Sequence, residues 1–253
     1  MFRGITALFV LAAGVWALLS TDGVTQPNPF QQMLGRDSHS EAQQSVWFDR
    51  ADGRGRFILD RTSQPNLLWT EGSMEIHAAY RGRAAGGGEV WRTDTDRIIL
   101  RTSNLGGWTY FPPDRPDGVI VDPVGAARTL VAAPAGPDEL QDAARDMVDT
   151  LARLSRNEVS AELTSLTPDQ NPYIIDSMVM VAYGAEAAPR RDLRNLEIVR
   201  VGVGEAPRAS FDGRTLDVSV APRMGYAGRP SSEAIRLIIE RGARLAELPD
   251  WIG

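Results

Sequence analysis

The chain has 253 residues, is 43% hydrophobic and 24% charged, and carries a formal net charge of -6 with a pI near 5.1. This is an ordinary globular composition with room for one large or two small cores, and the acidic balance argues against nucleic acid, which needs a positive surface to displace counterions from phosphates. There is no cysteine and all 27 basic residues are arginine, which removes thiol nucleophiles, disulfides, iron–sulfur clusters, cysteine-based zinc sites, Schiff bases and phosphate-loop lysines. Gly86-Gly87-Gly88 is therefore not a nucleotide loop.

Met1-Phe2-Arg3 followed by the uncharged run Gly4 to Leu19 has the form of an export leader, so residues 1–23 are read as a signal peptide or an N-terminal anchor. The run is shorter than the ~20 residues of a spanning helix, yet no good cleavage site follows it. Either outcome, with Arg3 held inside, puts the remainder across the membrane, periplasmic or anchored to the inner membrane and facing the periplasm. Membrane contact is expected only through an uncleaved N-terminus. Residues 24–43, rich in Gln, Asn, Pro and Ser, read as a linker, and His39 within it is given no role.

Residues 44–125 read as an antiparallel β-rich part. Trp47, Trp69 and Trp91 recur at a 22-residue interval, and each opens a strand–turn–strand unit: Ser45 to Arg50 with Arg56 to Arg61, Leu67 to Glu71 with Met74 to Tyr80, Val90 to Thr93 with Arg97 to Ser103. Trp108 to Phe111 adds a further strand. Short strands in that number predict a meander curling into a sandwich or partial barrel, with the aromatic rings lining its interior. Trp69, Trp91 and Trp108 are the candidate ligand-binding aromatics, should the interior hold an apolar small molecule. The plainer reading is that the rings fill a small core.

In Met74 to Tyr80, alternation groups Glu75, His77 and Ala79 on one face, opposite Met74, Ile76, Ala78 and Tyr80. Glu75 and His77 could form an acid–base pair, against the plainer reading of a solvated strand face. Asp94-Thr95-Asp96 lacks the later ligands of a calcium loop and reads as a hairpin tip.

Residues 126–253 read as an α+β part, in one domain with the β-rich part or beside it. Asp138 is the expected cap of a helix whose stripe is Leu140, Ala144, Met147, Leu151 and Leu154, with Asp149 and Arg153 as a four-apart pair. Asn171-Pro172 opens a second helix running to Gly184. Leu196 to Val203 and Thr215 to Val220 are strands. A last helix from Pro230 to Ser232 ends at Pro249. The order expected is helix, helix, strand, strand, helix.

Ser231 and Ser232, at the start of that helix, could serve as a nucleophile beside amides able to hold an oxyanion, with His77 or a carboxylate as base. A helix cap explains the same residues without a partner. Arg223 and Arg229 flank the turn and could bind an anion, though a loop arginine is usually solvated. No metal ligand set and no cofactor motif is found.

The segment Arg97 to Gly118, with Leu100-Arg101, Gly106-Gly107, Trp108 to Phe111 and Pro116 to Gly118, together with Gly225 to Ile235 and its Gly228-Arg229-Pro230-Ser231-Ser232 core, resembles a family of exported proteins of unknown function from Gram-negative bacteria. The sequence departs from it at Trp108, where a smaller residue is common, and over Ala79 to Glu89. The resemblance implies export and a shared fold, and supplies no activity, cofactor or catalytic residue. With reactive side chains scarce, the expected function is a non-catalytic exported envelope protein binding a protein partner or an apolar ligand. The rival is a periplasmic hydrolase using carboxylates or a serine at the start of the last helix.

Overall fold

Glycines and turn formers break the chain after Arg50 into short antiparallel strands that pair in sequence order, and the eighth returns to the first to close a barrel. The strands are β1 (Ser45–Arg50), β2 (Arg56–Asp60), β3 (Asn66–Thr70), β4 (Ile76–Arg83), β5 (Glu89–Arg92), β6 (Ile98–Thr102), β7 (Trp108–Tyr110) and β8 (Val119–Ala126). The computed structural model describes residues 44–164 and 167–241. The leader and linker expected over residues 1–43, and the last helix beyond Arg241, lie outside the described residues.

Closure removes both sheet edges, which a sandwich or partial barrel would have left open. Rings then fill the interior, as in most barrels of this size. Phe48 stacks on Phe57 at 5.0 Å, Phe57 meets Tyr110 at 4.5 Å, and Trp108 touches both Phe48 at 5.0 Å and Trp91 at 5.3 Å. The indole N–H of Trp91 donates to Asn66 Oδ1 at 2.8 Å, so the fully buried ring leaves no polar atom unpaired.

Trp47 and Trp69 do not line the interior as expected. Val46 and Phe48 point inward, so strict alternation turns Trp47 outward, and register carries the same outer face through Ile58, Trp69 and Ile76. There the two indoles meet edge to face at 6.1 Å and pack with Ile58, Leu67 and Leu130. Buried Asp60 holds the covering segment, accepting the Leu130 amide at 2.6 Å. The face of Glu75, His77 and Ala79 is corrected in the opposite sense. It is not solvated: His77 is in register with buried Leu68, and Ala79 belongs to the barrel core.

The remaining chain forms α1 (Pro137–Ser155), β9 (Ser160–Thr164), α2 (Asn171–Ala187), β10 (Ile198–Val203), β11 (Arg208–Phe211), β12 (Thr215–Val220) and α3 (Ser232–Arg241). The four strands lie in the order β11, β12, β10, β9, with β10 parallel to both neighbours and β11 antiparallel. Val199, Val201, Leu216 and Val218 form one buried core with Met147, Leu151, Met178, Val181, Ile235 and Ile238 of the helices. Elsewhere on the sheet, Glu162, Arg200 and Asp217 make a cross-strand ladder of exposed charges, with Arg200 donating to Glu162 at 2.6 Å. Two strands, β9 and β11, join the expected pair.

Caps differ from expectation in detail. Proline at the first helical position starts α1 at Pro137, so Asp138 lies in the first turn, and Glu139 accepts the Gly136 amide at 2.9 Å. Arg153 pairs with Glu186 of α2 at 2.9 Å rather than with Asp149. Gln170, not Asn171, stands at the N-cap position of α2, and its side chain makes no cap bond. Gly184 does not end α2; it sits where α2 crosses α3, and a Cβ there would lie 2.6 Å from both Ile235 and the Ser232 carbonyl. Among the described residues no helix is long and apolar enough to cross a membrane.

Candidate functional site

One end of the barrel carries the start of β4, the β5–β6 hairpin tip and the loop after β7, and against it stands the N-terminus of α3. The approach to α3 is set by a short 3-10 stretch, Pro222–Gly228, broken at Gly225 with φ 60 and ψ -138. Gly228 lies so close to the Ala221 carbonyl that a Cβ would overlap it at 2.0 Å. That contact fixes where Arg229 enters the barrel's flank.

Arg229 is not solvated, as a loop arginine is expected to be: its side chain is 1% exposed. It donates Nη2 to the Ile76 carbonyl at 3.0 Å and Nε to the Asp176 carboxylate of α2, and Nη1 lies 3.8 Å from Glu75 Oε1. Burial pushes the Asp176 carboxyl above its ordinary range, against the pull of Arg229.

The next residues attach α3 to the barrel. The Ser231 amide donates to Asp94 Oδ2 at 2.8 Å, and the Ser232 amide donates to Glu75 Oε1 at 3.1 Å. The Ser232 hydroxyl donates to the other oxygen of Glu75. Ser231 Oγ caps the helix by accepting the Ala234 amide at 3.0 Å, and Glu233 pairs with Arg97 at 2.8 Å. A helix N-terminus is a ready-made anion site because its first amides are unpaired and its dipole is positive. Here the barrel's own carboxylates occupy it.

His77 is the exception in this paired group. Its Nδ1 is 3.5 Å from Glu75 Oε1 and has no hydrogen-bond partner among the described residues, as is also true of Asp94 Oδ1. Burial lowers the imidazole below its ordinary range, outweighing the opposite pull of Glu75, and Arg97 and Arg229 add to the lowering. Burial and the two arginines both favour the neutral ring. Burial raises the Asp94 carboxyl, outweighing its bonds to Ser231.

Glu75, His77 and Ser232 form one side of an open cleft of about 940 Å³, whose apolar wall includes Ile98, Phe111 and Pro112. Arg50 pins the loop that carries Phe111 and Pro112, with a two-pronged contact to Asp114 at 3.0 and 3.1 Å and a second to Asp52. The arginines lining the cleft all have acidic partners: Arg92 with Asp96, Arg97 with Glu233, Arg236 with Glu240. Chemically the cleft offers a neutral imidazole beside a carboxylate, the pairing a general base needs. Among the described residues no group of three or more His, Asp or Glu is placed to hold a metal ion.

The structure thus brings Glu75, His77, Ser231, Ser232 and Arg229 together. Trp91 and Trp108 lie in the barrel core, Trp69 on its outer face, and Arg223 donates to the Glu205 carbonyl at 2.8 Å in an exposed loop. Reading the sequence missed Asp94, Asp176, Arg97 and Glu233. Asp94 was hidden in a hairpin tip that needs no further explanation, and Asp176 falls between apolar positions of α2 where a polar residue breaks no rule.

A family model described as a domain of unknown function, DUF4908, matches residues 29–239, and the chain belongs to that family. No curated protein and no solved structure matches it.

Proposed function

We propose that this member of the DUF4908 family is a non-catalytic, exported protein of the cell envelope that binds a protein partner. One observation carries the reading: Glu75 and Asp94 fill the amides at the start of α3, the position where an incoming oxyanion or phosphate would have to sit. Carboxylates used in this way join the barrel to the helical half and leave neither amide for a substrate oxyanion. The apolar-ligand version has less support, because aromatic rings occupy the barrel interior. Export and an origin in Gram-negative bacteria rest on residues 1–23 and on the resemblance of the central and C-terminal segments.

The test has two arms. Alanine at Glu75, His77, Ser231 or Ser232 is measured for unfolding beside hydrolysis of ester, glycoside and peptide substrates; the reading expects loss of stability at Glu75 and Ser232 and unchanged background hydrolysis throughout. Alkaline phosphatase fused after residue 43 reports export through activity outside the cytoplasm, and an inactive fusion would remove that part.

A second reading, a periplasmic hydrolase, draws on His77 alone. His77 lines an open cleft with its buried Nδ1 unpartnered beside Glu75, an arrangement a base can use. Substrate turnover abolished by His77→Ala in a chain of undiminished stability would establish it over the binding reading.

A further inference from the structure

A second concavity, of about 470 Å³, lies between α1 and α2. Met147 and Met178 are buried in it, while Met74, from the β3–β4 turn, is 66% exposed and Tyr183 is 39% exposed. Met74 and Tyr183 thus continue the buried methionines outward as a small apolar patch, and it is contiguous patches, rather than single exposed side chains, that mark a contact surface. Methionine suits such a surface because its unbranched, polarizable side chain adapts to an incoming group.

The rim is of one sign. Glu139, Asp142, Asp146 and Glu186 line the groove, and no arginine or histidine does. Arg145 and Arg153 reach Asp142 and Glu186 from outside it, and Glu139 accepts the Gly136 amide. The Asp146 side chain has no ion pair or hydrogen bond among the described residues. An apolar floor under an acidic rim is complementary to an amphipathic helix with basic flanks.

We infer that the α1–α2 groove docks a basic amphipathic helix of a partner protein, its apolar side against the methionines and Tyr183 and its cations over Asp146 and its neighbours; the inference rests on the binding reading above. The chain's own ends are poorly matched. Residues 242–253 carry one arginine against Glu247 and Asp250, and residues 1–43 carry Arg3 and Arg36 against Asp22, Asp37 and Glu41. A second copy is acidic overall, with net charge -6, which disfavours it at the same rim.

Calorimetry with the full chain tests this, using a leucine–lysine peptide patterned as an amphipathic helix and a leucine–glutamate peptide of the same pattern. The expected result is binding of the lysine peptide only, weakened as salt rises and at least tenfold by Asp146→Arg, with Glu205→Arg outside the groove leaving it unchanged. Tyr183→Ala, or Asp142→Arg where Asp146→Arg unfolds, should weaken it too. Equal binding of both peptides, or indifference to the groove substitutions, overturns the inference. So does binding that appears only after removal of residues 242–253, or dimerisation in sedimentation that Asp146→Arg abolishes, which would assign the groove to the chain's own end or to a second copy. Hydrolysis lost in His77→Ala with peptide binding intact would overturn the function proposed above and leave this inference standing; loss of peptide binding alone would do the reverse.

Discussion

Arg229 and Asp176 face each other across the junction between the turn before α3 and the middle of α2, and the same guanidinium also holds the Ile76 carbonyl at the start of β4. Three segments distant in sequence are thereby fixed by one side chain. Truncating one partner of a buried pair leaves the other charge unpaired, so Arg229→Ala should cost about 3 to 5 kcal/mol in urea unfolding. Arg229→Lys should recover little, because a single ammonium lacks the planar spread that reaches several acceptors. Adding Asp176→Asn to Arg229→Ala should restore part of the loss.

The Asp94 carboxyl is raised by burial, so the folded chain keeps its proton where the unfolded chain has released it. Its contribution to stability is full below the unfolded value near 4 and is lost as pH rises through the folded value. Asp94→Asn still accepts the Ser231 amide without carrying charge. The variant should be at least as stable as the parent at neutral pH and show a shallower decline of stability from mildly acid to neutral pH, measured by denaturant unfolding across that range.

His77 has the opposite sign. With the folded imidazole lowered by burial, the unfolded chain takes up a proton first, so its contribution to stability is full above about 6.5 and is lost as pH falls toward the folded value. NMR titration should place the His77 midpoint below the ordinary histidine range. Glu75→Gln should lower it further, because the Glu75 charge favours the protonated ring. A midpoint at or above the ordinary value would refute the burial argument.

The tryptophans separate by face. Trp91, inside the barrel, should cost about 3 to 5 kcal/mol when replaced by alanine. Trp47, partly exposed, holds an edge contact to Trp69 and lies 4.4 Å beneath Arg56, so its replacement should cost less than half as much. Acrylamide should quench Trp47 and leave Trp91 protected, as read from emission of the single substitutions.

The fold was legible where one residue period dominated. Alternation at Thr215 to Val220, the nearly continuous apolar run from Leu196 to Val203, the Leu140-to-Leu154 stripe, and the hairpins opened by Trp47, Trp69 and Trp91 all appear as elements. β9 and β11 were not legible: Ser-Ala-Glu-Leu-Thr is short, polar and mostly exposed at a sheet edge, and Arg-Ala-Ser-Phe spans only four residues. Both owe their pairing to neighbours rather than to their own pattern. The curling of the meander toward a sandwich or partial barrel was legible in the number of short strands, and only its full closure was not, because that depends on β1 meeting β8, far along the chain. For the same reason the sequence offered Glu75 with His77, Ser231 or Ser232 with His77 or a carboxylate, and Arg229, without a way to bring them to one place. Their convergence, and the arrival of Asp94 and Asp176 among them, follows from tertiary packing that no local spacing encodes.

The charged cluster at the barrel's end fastens α3 in place. A double-mutant cycle of Glu75→Ala and Ser232→Ala, read by denaturant unfolding, tests it most directly. Each single change should destabilise the fold, with a coupling of about 1 to 3 kcal/mol between them. Groups held in place for chemistry commonly cost stability, so variants that unfold later than the parent, with no coupling, would contradict the account.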